Sequence, residues 1–155
     1  MSADSPRVLL VEDNPDDEEL TIGALKRASL TSPVEVARDG QAAVDYLFGT
    51  AQQAAQHLPV LIVLDLKLPR VNGLEILKRI RADERTRRLP VVILTSSTED
   101  GDVFNGYELG ANGYVCKPVQ FDDYTRAVGQ LGVYWLVINE PAPPAEDYDI
   151  GTDNA

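Results

Sequence analysis

With one cysteine, Cys116, and one histidine, His57, in 155 residues, the chain can neither close an internal disulfide nor assemble a thiolate metal centre. Any metal bound here is expected on oxygen. Basic residues are also scarce: 14 Lys and Arg stand against 25 Asp and Glu, a net charge of -11. Nucleic-acid binding runs on lysine and arginine neutralising phosphates, so no nucleic-acid partner is expected. No apolar run approaches the ~18 residues that suggest a membrane span. The N-terminus, MSADSPR, lacks the charged start and apolar stretch of a secretory signal. The expectation is therefore a cytoplasmic chain with no membrane association. His57 stands alone in the polar stretch GTAQQAAQHL, with nothing near it to make it a phosphohistidine.

What is present is 44% hydrophobic residues, enough for one domain with a substantial core. Arg7 to Val11 reads as a buried strand, followed by Glu-Asp-Asn-Pro, where Asn14 can cap a helix and Pro15 fits its first turn. Apolar residues recur at Leu20, Ile22, Ala24, Leu25 and Ala28, giving a helix from about Asp16 to Ala28. Its first turn holds Asp16, Asp17, Glu18 and Glu19, which the helix dipole alone explains. Val34 to Ala37 is a short mixed strand, and a second helix runs from about Gln41 to Phe48. Residues 49–58 either extend that helix or form a loop. Val60 to Leu64 is a wholly apolar strand ending at Asp65. Pro69 and Gly73 then break the chain before a helix over Gly73 to Ala82. Val91 to Leu94 is a fourth strand closed by Thr95-Ser96-Ser97. A helix then starts near Glu99 or Asp100 and runs to Leu109, with Gly110 to end it. Gly113 to Cys116 is the fifth strand, and Phe121 to about Val137 the last helix.

Strands alternating with helices predict an α/β fold with a parallel sheet. VLLV, VLIVL and VVIL are apolar throughout, as strands covered on both faces must be, whereas VEVA and GYVC are mixed and suit edges. With right-handed crossovers the simplest strand order is 2-1-3-4-5. Strands 1 and 3 then meet at the topological switch point, where such sheets form their ligand crevice. Glu12, Asp13 and Asp65 end those two strands, and Thr95 and Lys117-Pro118 follow strands 4 and 5.

Three carboxylates in one crevice repel each other, and a divalent cation removes that conflict. Magnesium suits the set, because it takes oxygen ligands and pairs few carboxylates with a phosphate. Lys117 offers a compact positive charge and Thr95 a hydroxyl donor for phosphoryl oxygens. Asp65 is the natural nucleophile, since a carboxylate can form an acyl phosphate.

The motifs VLLVEDN, VLDLKLPRVNG, VVILTSS and GYVCKP, in this order and spacing, resemble the receiver domain of bacterial two-component response regulators. The resemblance spans about Arg7 to Val137 and implies a flavodoxin-like five-stranded fold. It further implies that Asp65 accepts phosphate from a sensor histidine kinase. Magnesium would be bound by Asp13, Asp65 and the backbone carbonyl of Lys67, with Glu12 helping through water. Thr95 and Lys117 would contact the phosphoryl group, Tyr114 would turn inward as Thr95 moves, and a cis bond before Pro118 would aim Lys117. EDNPDDEEL, YELGANGYVCKP and the pair Tyr134-Trp135 further resemble small stand-alone regulators of bacterial and cyanobacterial phytochrome kinases. In those proteins the last helix and the segment after it can form a homodimer. Here the fourth helix, fifth strand, fifth helix and Tyr134-Trp135 would contribute.

The corresponding division is an N-terminal extension at 1–6, a receiver domain at 7–138, and an acidic proline-containing tail at 139–155, expected to be disordered and without room for a DNA-binding domain. A magnesium-dependent phosphatase with an aspartyl nucleophile is the enzymatic alternative, but haloacid-dehalogenase-like enzymes need an acid where Lys67 stands. A receiver-like binding module that is never phosphorylated is a further alternative. Cys116 is expected to be a small buried residue, and the basic cluster Lys78, Arg79, Arg81, Arg85, Arg87 and Arg88 a solvated surface. For Tyr107, Tyr124, Tyr134 and Trp135, core and interface roles are both open.

Overall fold

A computed structural model describes residues 7–55 and 57–143. The chain alternates β1 (Val8–Val11), α1 (Pro15–Arg27), β2 (Val34–Ala37), α2 (Gly40–Phe48), β3 (Leu61–Leu64), α3 (Gly73–Ala82), β4 (Val91–Thr95), α4 (Asp100–Glu108), β5 (Gly113–Cys116) and α5 (Phe121–Val133). All strand pairs are parallel, in the order β2-β1-β3-β4-β5 that the apolar runs predict. Central and edge positions follow from burial. β1, β3 and β4 are buried at every position, while β2 and β5 at the edges are only partly covered.

Alternation along the strands divides the core into two layers. Leu9, Val11, Ile62, Leu64, Val91 and Ile93 point to one face, where Ala43, Leu47, Ile76, Leu77 and Ile80 of α2 and α3 close over them. Val8, Leu10, Leu61, Val63, Val92 and Leu94 point to the other, against Ala24 and Leu25 of α1 and Tyr124 and Val128 of α5. Among the described residues, no helix is long and apolar enough to cross a membrane.

The first three helices start on side-chain caps, Asn14 as expected, whereas α4 and α5 have none. The Asn14 side chain accepts from the amides of Asp16 and Asp17, Asp39 from Ala42, and Asn72 from Leu74. Residues 49–55 form a loop rather than more helix, because Gly49 takes a left-handed φ of 80° and Thr50 then turns the chain back, its amide donating to the Gln53 carbonyl at 2.7 Å. The last helix reaches its expected end but changes type on the way. Its regular turns end at Val133, and a wider π-helical turn over Tyr134–Ile138 follows, closed by the Asn139 amide on the Tyr134 carbonyl. That turn lets Trp135 and Leu136 pack on the α1/α5 layer while Tyr134, Val137 and Ile138 stay exposed. The described residues contain only the first part of the acidic tail; residues 1–6 and 144–155 lie outside them.

Five residues of the basic cluster are exposed, as a solvated surface requires, and Arg81 is half-buried. Arg81 donates to the carbonyls of Gly110, Arg87 and Leu89 and to Asn112 Oδ1, tying α3 to the loops around β4. Arg85 bonds the Leu47 carbonyl, and Arg79 lies 4.5 Å over the Phe48 ring. These three are structural.

One close approach bears directly on the sheet's carboxyl edge. The Gly73 amide donates to the Leu66 carbonyl at 2.9 Å, and a Cβ at Gly73 would collide with the Asp65 carbonyl oxygen and the Leu66 Cα. Only glycine lets α3 start this close to the end of β3. Gly73→Ala is therefore expected to lower stability by about 1–3 kcal/mol, visible as a melting temperature reduced by several degrees; an unchanged melting temperature would show that the loop after Asp65 yields freely.

Candidate functional site

The ladder itself delivers the acids to one edge. The Glu12 amide donates to the Ala37 carbonyl at 3.0 Å and the Asp65 amide to the Val11 carbonyl at 3.0 Å, so both residues extend the sheet by one step beyond β1 and β3. Glu12 is 1% exposed and Asp65 5% exposed, whereas Asp13 faces solvent. One carboxylate oxygen from each of Glu12, Asp13 and Asp65 lies within 4.8 Å of the other two. An all-oxygen, all-carboxylate set of this kind can hold a divalent metal ion.

Lys117 reaches the same crevice from β5. Its amide donates to the Thr95 carbonyl at 2.7 Å, continuing the β4–β5 ladder. Its ammonium then contacts three carboxylates: Asp17 at 2.7 Å, Glu12 at 2.8 Å and Asp65 at 3.0 Å. No cis peptide bond occurs among the described residues, contrary to the expectation for Lys117-Pro118. The ladder bond and the long side chain bring the ammonium to the acids across a trans bond.

Burial and charge oppose each other here. Burial pushes Glu12 up to about 7, against the pull of Lys117, with Asp65 adding like-charge repulsion. Burial also acts to raise Asp65, but hydrogen bonds from Thr95 and Lys117, with the lysine's charge, outweigh it and hold Asp65 below the ordinary aspartate range. For Lys117, burial favours the neutral amine, yet hydrogen bonds to Asp17, Glu12 and Asp65 reverse that and raise its pKa. At neutral pH the crevice holds an ionised Asp65, a cationic Lys117 and a Glu12 near its midpoint.

Thr95 closes β4 fully buried and opposite Cys116. Tyr114 is half-buried on the α3/α4 side of β5, and its hydroxyl donates to the Ser97 carbonyl at 3.1 Å. It faces inward rather than standing as a free edge tyrosine. Its ring lies under Gly106, where a Cβ would come 3.3 Å from the Tyr114 ring. Cys116 is exposed, not buried as expected, at the end of the edge strand; its sulfur lies 3.6 Å from the Ser97 carbonyl. Ser97 also donates to Asp102 at 2.5 Å, which joins the β4 end to α4. Pro118 is half-buried, Lys67 exposed, and the Lys67 amide donates to Asp65 Oδ1 at 3.1 Å. His57 is exposed. Of the four aromatics left open, Tyr124 is core, bonded to Thr21 at 3.0 Å; Tyr107 and Tyr134 are exposed; Trp135 is half-buried.

Asp17 is the residue that the sequence did not single out. It reads as one of four dipole-complementing acids, yet it makes the shortest contact to Lys117, while its neighbour Glu18 pairs with Arg38 at 2.9 Å. The signal lay in the spacing: Asn14 and Pro15 fix where α1 begins, and the third helical position then overhangs the crevice.

A doubly wound sheet with an acidic, lysine-bridged crevice at its switch point is the architecture of a phosphate-signalling receiver. The chain belongs to the response regulator receiver domain family, whose model matches residues 8–129. Phosphorylation on aspartate is typical of that family, whose members take phosphate from sensor histidine kinases. The chain is 42% identical over 138 residues to a probable methanogenesis regulatory protein, FilR2, of Methanothrix harundinacea, covering 89% of this chain and 88% of that one. It superposes with a TM-score of 0.84 at 33% identity on the crystal structure of the phosphorylated cyanobacterial phytochrome response regulator RcpA, covering 89% of this chain and 99% of that one. The Mn(2+)-bound form of response regulator Rcp1 gives the same figures. The bacteriophytochrome response regulator RtBRR is 48% identical with a TM-score of 0.69, over 92% of this chain and 87% of that one. The chain is thus a signalling protein, similar to phytochrome response regulators.

Raised burial of Glu12 predicts a pH signature. Between about 4.5 and about 7 the folded chain holds a proton on Glu12 that the unfolded chain has released, so stability falls as pH rises through this window. In metal-free buffer the loss is expected to reach up to about 3 kcal/mol at pH 8. Urea unfolding from pH 5 to 8 should show a downward slope that Glu12→Gln flattens; equal slopes in both proteins would contradict the assignment.

Proposed function

We propose that this chain is a cytoplasmic response regulator that accepts a phosphoryl group on Asp65 from the phosphohistidine of a sensor kinase of phytochrome type. The receiver core spans residues 7–138. The observation that carries the proposal is the ionised Asp65 carboxylate, nearly buried at the switch point, with the Lys117 ammonium 3.0 Å away. An Asp65 oxygen attacks phosphorus, the kinase's N–P bond breaks as the P–O bond forms, and the leaving imidazole takes a proton from solvent. Glu12, Asp13, Asp65 and the main-chain carbonyl of Lys67 would hold magnesium, which supplies positive charge against the carboxylates and the incoming phosphoryl oxygens.

The new charge competes for Lys117 and for the Thr95 hydroxyl. Both would turn toward the phosphoryl oxygens, and the space left beside Thr95 is on the face that Tyr114 shares. Rearrangement of Tyr114 breaks its bond to the Ser97 carbonyl and alters the surface of β5, α4 and α5, with Pro118 setting the start of the loop that follows Lys117. Output is carried by that surface. Phe104, Tyr107 and Val119 expose apolar area there; Phe121, stacked under Arg27 of α1, and Tyr134, Val137 and Ile138 expose more along α5 and after it. These residues support a homodimer built from α4, β5, α5 and the Tyr134-Trp135 segment.

Acetyl phosphate with magnesium should add one phosphoryl group by intact mass, and Asp65→Asn should abolish the gain. Labelling of that variant at a comparable rate would overturn the acceptor assignment, and no gain in the wild type would favour the inert binding module. Size-exclusion chromatography with mass detection should find a dimer whose population responds to a phosphoryl mimic. A monomer with and without the mimic defeats the dimer.

A further inference from the structure

The three carboxylates around Lys117 are not equivalent. Glu12 and Asp65 belong to the oxygen cluster that can hold a cation, so a metal there competes with the ammonium for the same charge. Asp17 is outside that cluster. It stands on α1 rather than at a strand end, it is a quarter exposed, and it makes the shortest of the three contacts, 2.7 Å. Its position is fixed twice over: Asn14 caps the helix start through the amides of Asp16 and Asp17, and one turn further on Thr21 bonds Tyr124 of α5.

We propose that Asp17 is a positioning residue for Lys117, the anion that keeps the ammonium when a divalent cation claims Glu12 and Asp65. An ammonium with only Glu12 and Asp65 to pair with must either stay against the metal's ligands or remain buried without a counter-ion, and a buried cation without a partner is costly. With Asp17 present, Lys117 keeps one short ion pair while releasing the other two carboxylates. The side chain then waits at the crevice wall, within reach of an incoming phosphoryl oxygen. The proposal rests on Glu12, Asp13 and Asp65 forming the metal site.

The test is a double-mutant cycle read by magnesium affinity, measured by calorimetry on the unphosphorylated chain. Asp17→Asn is expected to weaken magnesium about five- to tenfold when Lys117 is present, and less than about twofold in a Lys117→Met background, where no ammonium needs a place. Asp16→Asn removes the same charge from the same helical turn, where Asp16 is exposed, and should change affinity by less than about twofold. Asp17→Glu should restore most of the loss. Equal weakening by Asp17→Asn in both lysine backgrounds, or equal weakening by Asp16→Asn, would reduce Asp17 to a distant charge and overturn its role. So would an unchanged affinity in Asp17→Asn. Absence of magnesium binding by the wild type overturns the metal site and this role together, whereas normal wild-type binding with a flat cycle overturns this role alone. Far-UV circular dichroism confirms that each variant keeps its helices.

Discussion

Lys117 bridges Asp17, Glu12 and Asp65, and the carboxyl edge of the sheet depends on that bridge. Glu12 and Asp65 are almost entirely removed from water, and two such carboxylates side by side would be strongly destabilising without a cation. The lysine divides its charge unequally among them. Asp65, which also takes a hydrogen bond from Thr95, stays ionised, while Glu12 is left near its midpoint at neutral pH. A single cation among several acids is an arrangement that another cation or a new anion can rearrange. That makes the crevice a balance of charges rather than a fixed substrate pocket.

The rest of the fold holds this balance at a defined place. Strand alternation sends one set of apolar residues to α1 and α5 and the other to α2 and α3, so a one-residue slip would exchange the two sets between layers packed for different side chains. Fixed register puts Glu12, Asp65, Thr95 and Lys117 at one edge. The tight start of α3 at Gly73 and the capped start of α1 at Asn14 then position the loops between them. Stability and site geometry share these constraints.

Much of the site was legible because each polar stretch follows an apolar run. Strand order was equally legible, since VLLV, VLIVL and VVIL must be covered on both faces and VEVA and GYVC need not be. Other features depended on contacts between distant segments. Cys116 reads as a small buried residue, yet it is exposed at the end of the edge strand. Arg81 reads as one of a run of surface charges, yet four oxygens from two loops surround its guanidinium. The helix after Phe121 reads as continuous, but packing Trp135 and Leu136 together against the core requires a wider turn.

The sheet, its order and the four polar strand ends are written along the chain, because burial periodicity and turn residues are local and leave few topologies. The chain also carries the family in its motifs. How the charges divide emerges from packing alone: Asp17 joins Lys117 while Glu18 turns to Arg38, Lys117 reaches across a trans bond, and Tyr114 already points inward. Charge pairing depends on distances of a few ångströms between residues 100 positions apart, and no local pattern along a chain records those distances.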